Sequence, residues 1–362
     1  MTSRGSSLLF ASMIMLILTF LARDIALNTV GYRYELLVTI ENLSSKTQLL
    51  PREAKMILPP DIPGWQRVAT INVEVNGTPT DYVISYDYDR NVLINPITPS
   101  KILPHSQVSI KYEVVIKVAR NSLFIRKKPM HIDEIDCIKD PKRELIRPLG
   151  EWDWSKNNDH KWKRLKDLAM ALKGSNDLET VFNVAEWVVN NIKYVETETV
   201  LPPHTVYEKR IGDCADQSTF IVTLLRMLGI PSLIALGLVY SPLADYSVHE
   251  YHLGLIRKGF NLHAFVLAYV NNIGWIPIDT TAYIGKDNHA FTKGALIVST
   301  DRVIIGGFII GSNPNEYETF KAYNSLKLNV KISIKRELDF SLFLVIGEAL
   351  FVIVLLLKRI FA

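Results

Sequence analysis

Cysteine is scarce in this chain: Cys137 and Cys214 are the only two among 362 residues. So few thiols exclude a disulfide framework, and no cluster of Cys and His at ligand spacing offers a metal site. A glycine-rich phosphate loop is missing too, which removes the nucleotide-binding motifs. Neither sign of charge is in excess, since 41 Lys and Arg against 37 Asp and Glu leave a net +4. With no basic face interleaved with aromatics, nucleic acid is not an expected partner. Nothing in the sequence requires a cofactor.

What is present is largely apolar. Hydrophobic residues make up 48% and charged residues 22%, a balance that folds rather than stays disordered. Residues 8–22 are a nearly unbroken apolar run, preceded by Arg4 and followed by Arg23 and Asp24. The segment 1–24 reads as a membrane anchor or a signal. With no good small-x-small cleavage site after it, the anchor is the preferred reading. Residues 340–357 form a second run, long enough for a helix of about 27 Å, near the hydrocarbon thickness of a bilayer. A transmembrane helix is therefore expected at 339–359, and Lys358-Arg359 places its end on the cytoplasmic side. With both ends inside, the globular part is expected to be extracytoplasmic and tethered to the membrane. The sequons Asn42-Leu43-Ser44 and Asn76-Gly77-Thr78 are compatible with that location. Glu348 lies in the middle of the second run, where an ionisable group costs roughly 2.5–3.5 kcal/mol. It either meets another membrane protein or, protonated, bonds to Ser12 or Thr19 of the first run; the second reading is preferred.

Between the two runs the hydrophobic period changes. Over 25–125 it is two: Val108, Ile110, Tyr112, Val114, Ile116 and Val118 make the longest alternation, and Asn76-Gly77 marks a turn. This pattern predicts an antiparallel β-sandwich. Residues 126–160, rich in charge and proline, read as a connector. From about 161 the period becomes helical, with Asn176-x-x-Glu179 as a capping signal and Val181, Ala185 and Val188 on one face. A second helix starts near Cys214, buries Phe220, Ile221, Leu224, Leu225 and Leu228, and stops at Gly229 and Pro231. Short strands are expected at 233–239, 253–256, 264–270 and 275–278. Helices followed by strands make 161–295 an α+β domain. Residues 296–338 add a β-rich extension.

The chemistry concentrates in 161–295. Cys214 follows Gly212-Asp213 at a helix start, where free N–H groups and the helix dipole favour a thiolate. His263 precedes a strand and Asp279 ends the next one. A thiol, an imidazole and a carboxylate are the parts of an activated sulfur nucleophile. The backbone N–H of Cys214 is a natural oxyanion donor. Tyr194 is a candidate second donor, although packing at the end of its helix is the plainer role. Asp213 and Asp216 work against the thiolate, because nearby carboxylates raise a thiol pKa. His249 and His252 are rival bases in a loop-like stretch. A Cys137–Cys214 disulfide, which needs Cα atoms within about 7 Å, would silence the thiol.

Gly212-Asp213-Cys214-Ala215-Asp216, then Leu224-Leu225-Arg226-Met227-Leu228-Gly229-Ile230-Pro231, resembles the transglutaminase-like superfamily. So does Leu262-His263-Ala264-Phe265-Val266, followed by Gly274-Trp275-Ile276-Pro277-Ile278-Asp279-Thr280. The resemblance covers roughly 160–285 and implies a papain-like fold. It implies Cys214 as nucleophile, His263 as general base and acid, and Asp279 as the orienting group. Phe265 stands where Trp is common, and Thr280 where Pro is common. The implied activity is a thioester at Cys214 with an amide or peptide carbonyl of a protein or peptide substrate. Hydrolysis or transfer to an amine then follows. The alternative is a catalytically silent binding or scaffold protein of the cell envelope.

Overall fold

The structure, a computed structural model, describes residues 29–119, 135, 138, 140–150, 152–154, 160–281, 302–315 and 323–337. Both terminal apolar runs, with Ser12, Thr19 and Glu348, lie outside these residues, as do Cys137 and most of the connector. Among the described residues no helix is long and apolar enough to cross a membrane.

Nine strands build the N-terminal part: β1 (Thr29–Asn42), β2 (Gln48–Leu49), β3 (Met56–Ile57), β4 (Gln66–Val75), β5 (Thr78–Pro79), β6 (Tyr82–Tyr86), β7 (Val92–Pro96), β8 (Lys101–Ile102) and β9 (Gln107–Ala119). The helices follow: α1 (Pro141–Glu144), α2 (His160–Leu172), α3 (Asp177–Asn191), α4 (Pro203–Lys209) and α5 (Cys214–Met227). Short β10 (Lys193–Tyr194) and β11 (Ile211–Gly212) flank α4. Then come β12 (Ser232–Glu250), β13 (Leu253–Val270), β14 (Gly274–Ile278), β15 (Val303–Ile309) and β16 (Leu326–Arg336).

The expected sandwich does not close on itself. Its long strands β1, β4 and β9 pair antiparallel with one another, as the alternation predicts, but they run on into the strands of the α+β part. One nine-stranded sheet has the order β15-β12-β13-β16-β1-β9-β4-β5, with β14 branching from β13. The strand that joins the halves is β16, antiparallel to β1 and parallel to β13. The sheet is therefore mixed. No local pattern could reveal this, because β16 follows β13 and β1 only after long intervening stretches of chain. Gly259 permits the approach of β13 to β16: it has φ +81°, and a Cβ there would lie 2.1 Å from the Ile334 carbonyl oxygen.

The sheet curls until its outer strands meet. Gln66 of β4 donates to Ile305 O and accepts from Ile305 N, both at 2.8 Å. Asn91 does the same to Phe308 of β15, at 2.8 and 2.7 Å. Trp65 donates its indole N–H to Val303 O at 3.1 Å. Side-chain amides thus stand in for the missing neighbour of β15. Inside the curl lies one core, with Tyr32, Trp65, Tyr112, Phe260 and Phe265 all buried. A second core lies between the helices and the other face of β12–β14, where Ile234, Ala264, Val266, Ala268, Ile276 and Ile278 meet α2–α5. The residues between these, Leu233, Ala235, Leu267 and Trp275, belong to the first core. That is the period of two expected of strands buried on both faces.

The strands around the site are longer than their apolar segments. β12 and β13 form one hairpin that turns at Tyr251 and His252, with a register shift between Tyr240 and Asp245. Their distal halves carry Asp245, Ser247, Arg257 and Lys258 and are only partly covered. An apolar-run criterion sees only the doubly buried end.

Replacing Gln66 by Leu removes both bonds to Ile305 and leaves its buried N–H and C=O unpaired. At about 1–3 kcal/mol per unsatisfied group, Gln66→Leu should lower the urea midpoint clearly. An exposed control such as Gln107→Leu should leave it within error, and equal midpoints would mean that this seal contributes nothing.

Candidate active site

The site begins with the local chemistry of a helix start. Asp213 is the N-cap of α5 and accepts from Ala215 N at 2.9 Å and Asp216 N at 3.0 Å. Asp216 returns the bond, accepting from Asp213 N at 2.9 Å. The two acids that flank the thiol are thus the two halves of a capping box. Asp216 also accepts from Leu201 N at 2.6 Å and the Thr197 hydroxyl at 2.9 Å. It is fully buried, and burial raises its pKa against these bonds. Gly212 is required by this packing, because a Cβ there would sit 2.6 Å from Cβ of Asp216. The box uses the amides of Ala215 and Asp216. Cys214 is the first residue of the helix, so its amide is one of the end donors that the helix itself cannot pair.

His263 lies on β13 opposite Gly237 of β12. Asp279 follows β14 directly, and β13 and β14 are paired up to Val266 and Ile278. The ladder therefore carries the carboxylate to the imidazole. Asp279 Oδ2 lies 2.6 Å from His263 Nε2. Its other oxygen accepts from Thr281 N at 3.0 Å and the Thr281 hydroxyl at 3.2 Å. With Nε2 committed, Nδ1 is the ring nitrogen left for sulfur, and the Cys214 side chain is near enough to raise the pKa of this same imidazole. Burial pulls the His263 pKa down, but the bonds to Asp279 and Cys214 and the charges of both outweigh it and set it at about 10. The Asp279 side chain is 2% exposed and that of His263 is 15% exposed. The pair is shielded while the imidazole keeps an opening.

The structure thus brings together Cys214, His263 and Asp279 from three separate elements. It does not bring His249 or His252 to them. His249 pairs with Gly254 at the far end of the hairpin, nine residues along β13 from His263, or roughly 30 Å at strand rise. His252 faces the Tyr323 carbonyl oxygen at 3.1 Å. Tyr194 is placed differently from its plainer role. It is 37% exposed, stands level with Gly212 in the β10–β11 ladder, and feels the charges of Cys214 and Asp213. Burial, with those charges, pushes its phenol up to about 12.

Two contacts were invisible in the sequence. Phe265 stacks on His263 at 6.2 Å between centroids, and Trp65 stacks on Phe265 at 5.8 Å. An N-terminal aromatic thus backs the imidazole through one intermediary. Arg226, buried near the other end of α5, donates to Ser232 O at 2.9 Å and also to Arg147 O and Ile310 O. Burial lowers its pKa to about 9, against the opposing charge of Asp89.

Residues 166–280 match the family model of the transglutaminase-like superfamily. The chain carries a transglutaminase-like domain. All three site residues fall inside the matched span. A UPF0252 protein of Pyrococcus furiosus is 28% identical over 189 residues, which are 48% of this chain and 53% of that protein. The chain thus spans about half the length of the curated relative it matches. A solved structure from Cytophaga hutchinsonii, provisionally named a cysteine protease, superposes with a TM-score of 0.51 at 13% identity. It covers 85% of this chain and 91% of that one, so the likeness extends beyond the transglutaminase-like domain, as a likeness of fold alone. The periplasmic domain of TgpA from Pseudomonas aeruginosa also aligns, over 72% of this chain and 95% of that one, at 13% identity and a TM-score of 0.32. That score supports no conclusion about this chain.

The raised His263 pKa has a stability consequence. A histidine charged more readily when folded than unfolded stabilises the fold fully below its unfolded pKa of about 6.5. That contribution is lost as the pH rises towards about 10. The stability difference between the native protein and His263→Gln, from urea unfolding, should therefore shrink steadily from pH 6.5 to 10. A difference independent of pH would contradict the assigned pair.

Proposed function

We propose that this protein is a cysteine-dependent hydrolase that opens amide or peptide bonds through a thioester at Cys214. The observation that carries the proposal is the imidazole of His263, held by Asp279 at 2.6 Å and acted on by the nearby Cys214 side chain, which opens a helix. In this scheme the Cys214 thiol passes its proton to His263. The sulfur attacks the carbonyl carbon, and the developing oxyanion takes hydrogen bonds from the Cys214 amide and the Tyr194 hydroxyl. The C–N bond then breaks as His263 gives its proton to the leaving amine. Water attacks the thioester, His263 accepts its proton, the acid leaves and the thiolate returns. Asp279 keeps the ring oriented and balances its charge throughout. An amine in place of water would give transfer; the sequence shows no feature that would exclude water, so hydrolysis is the preferred outcome.

We also propose that the domain works outside the cytoplasm, tethered by both terminal apolar runs. Support comes from where the described chain ends. Tyr32 pairs with Arg336, and Glu337 N donates to Gly31 O at 2.9 Å. The two segments that lead to the apolar runs thus leave the sheet side by side, as two spans entering the same face of one membrane require.

Alkylation of Cys214 by iodoacetamide at pH 6, read on its own peptide by mass spectrometry, tests the chemistry. An ordinary thiol of pKa near 8.5 is less than about 1% ionised there. The native protein should react roughly 10- to 100-fold faster than His263→Ala. Equal rates at the level of a free thiol would point instead to a silent scaffold protein. Protease added outside intact cells should cut the globular part, and complete protection would reverse the proposed orientation.

A further inference from the structure

Gln217 stands one turn beyond Cys214 on α5 and is 2% exposed. Its Nε2 donates to Gly212 O at 3.1 Å, and its Oε1 accepts from the Thr280 hydroxyl at 2.8 Å. Gly212 lies two residues before the sulfur, and Thr280 is the residue after Asp279. One buried amide therefore joins the segment that delivers the thiol to the strand end that delivers the carboxylate.

We propose that Gln217 and Thr280 are positioning residues that set the separation of Cys214 from the His263–Asp279 pair. The need for such a device follows from the layering. His263 stands on β13 and Asp279 directly follows β14, and the ladder between those two strands holds one near the other. Cys214 belongs to the helical layer, which meets the sheet through apolar side chains. Apolar packing is strong but non-directional, and tolerates small sliding. Hydrogen bonds impose distance and angle. Near the C-terminal end of α5 the directional tie is Arg226, bonded to Ser232 O at the start of β12. Near its N-terminal end the tie is Gln217 to Thr280. Without it the helix start is free to shift by the fraction of an ångström that separates a bonded sulfur–imidazole pair from a loose one. Gln217 touches no reacting atom in this scheme and acts through the two segments it joins.

The inference rests on the reading of Cys214 and His263 as an activated pair, and one experiment separates the two. Cys214 alkylation is followed in the full-length protein from pH 5 to 9 for the native chain, Thr280→Val, Thr280→Ser, Gln217→Leu, the Thr280→Val and Gln217→Leu double variant, and His263→Ala. Thr280→Val should slow alkylation at pH 6 by roughly 5- to 10-fold, the size expected for one lost hydrogen bond. The acid side of its rate profile should move towards that of a free thiol. Thr280→Ser, which keeps the hydroxyl, should restore the native profile. The double variant should be no slower than the slower single one, as coupled partners require. If His263→Ala slows alkylation while Thr280→Val and Gln217→Leu match the native profile, the positioning role is overturned and the activated pair stands. If the native protein itself reacts no faster than a free thiol, both fall. Should Gln217→Leu fail to fold, the Val and Ser variants decide alone, since Thr280 is only partly buried and Val keeps its shape.

Discussion

The constraint on which this molecule depends is the position of β16. This late strand lies between β1 on one side and β13 on the other, so β1 and the strand bearing His263 are two places apart in one sheet. Every later feature inherits that arrangement. The curl of the sheet brings Trp65 against Phe265, and Gln66 and Asn91 against β15. The transglutaminase-like domain cannot be detached at the limits of its matched span, because its sheet is completed by residues from both flanks. A fold with pairings of such long sequence separation pays loop-closure entropy before it gains contacts, and is expected to form slowly.

Within that frame two kinds of force divide the labour. Burial of apolar surface sets the layers, with one core inside the curled sheet and another beneath the helices. Polar groups set the register between layers, and Gln66, Asn91, Gln217 and Arg226 among them are buried where their bonds have little competition from water. Asp213 and Asp216 illustrate the economy of this. They sit beside the thiol, and their oxygens are taken up by four backbone amides and a hydroxyl. Those bonds hold the helix start in place, while the charge of Asp213 still reaches Tyr194.

The three candidate site residues were legible in the sequence because their placement follows local rules. A cysteine at a helix start, a histidine before a strand and an acid at the end of the next strand are short-range signals, and the fold brings those three residues together. The alternation in β1, β4 and β9 was legible for the same reason. What escaped was non-local. The pairing of β13 with β16 makes β1, β9, β4 and β5 part of one large sheet, while β3, β7 and β6 form a small sheet of their own, and such pairing leaves no mark on composition. Tyr194 reads from the sequence as a candidate donor with packing as the plainer role, and only the β10–β11 ladder reveals that it stands level with Gly212. Thr280 read as a departure without chemistry, yet its hydroxyl meets Gln217. Phe265 read the same way, yet it stands between Trp65 and His263.

The sealed flank of β15 limits how a polypeptide can be recognised. Many proteins that handle extended chains capture them by adding a strand to an open sheet edge, where backbone bonds supply affinity regardless of side chains. Here the amides of Gln66 and Asn91 already hold the N–H and C=O groups of Ile305 and Phe308 that an incoming chain would need. The same occupation protects the protein from pairing with its own copies along that edge. Under the function proposed above, a substrate chain is thereby denied strand addition along β15.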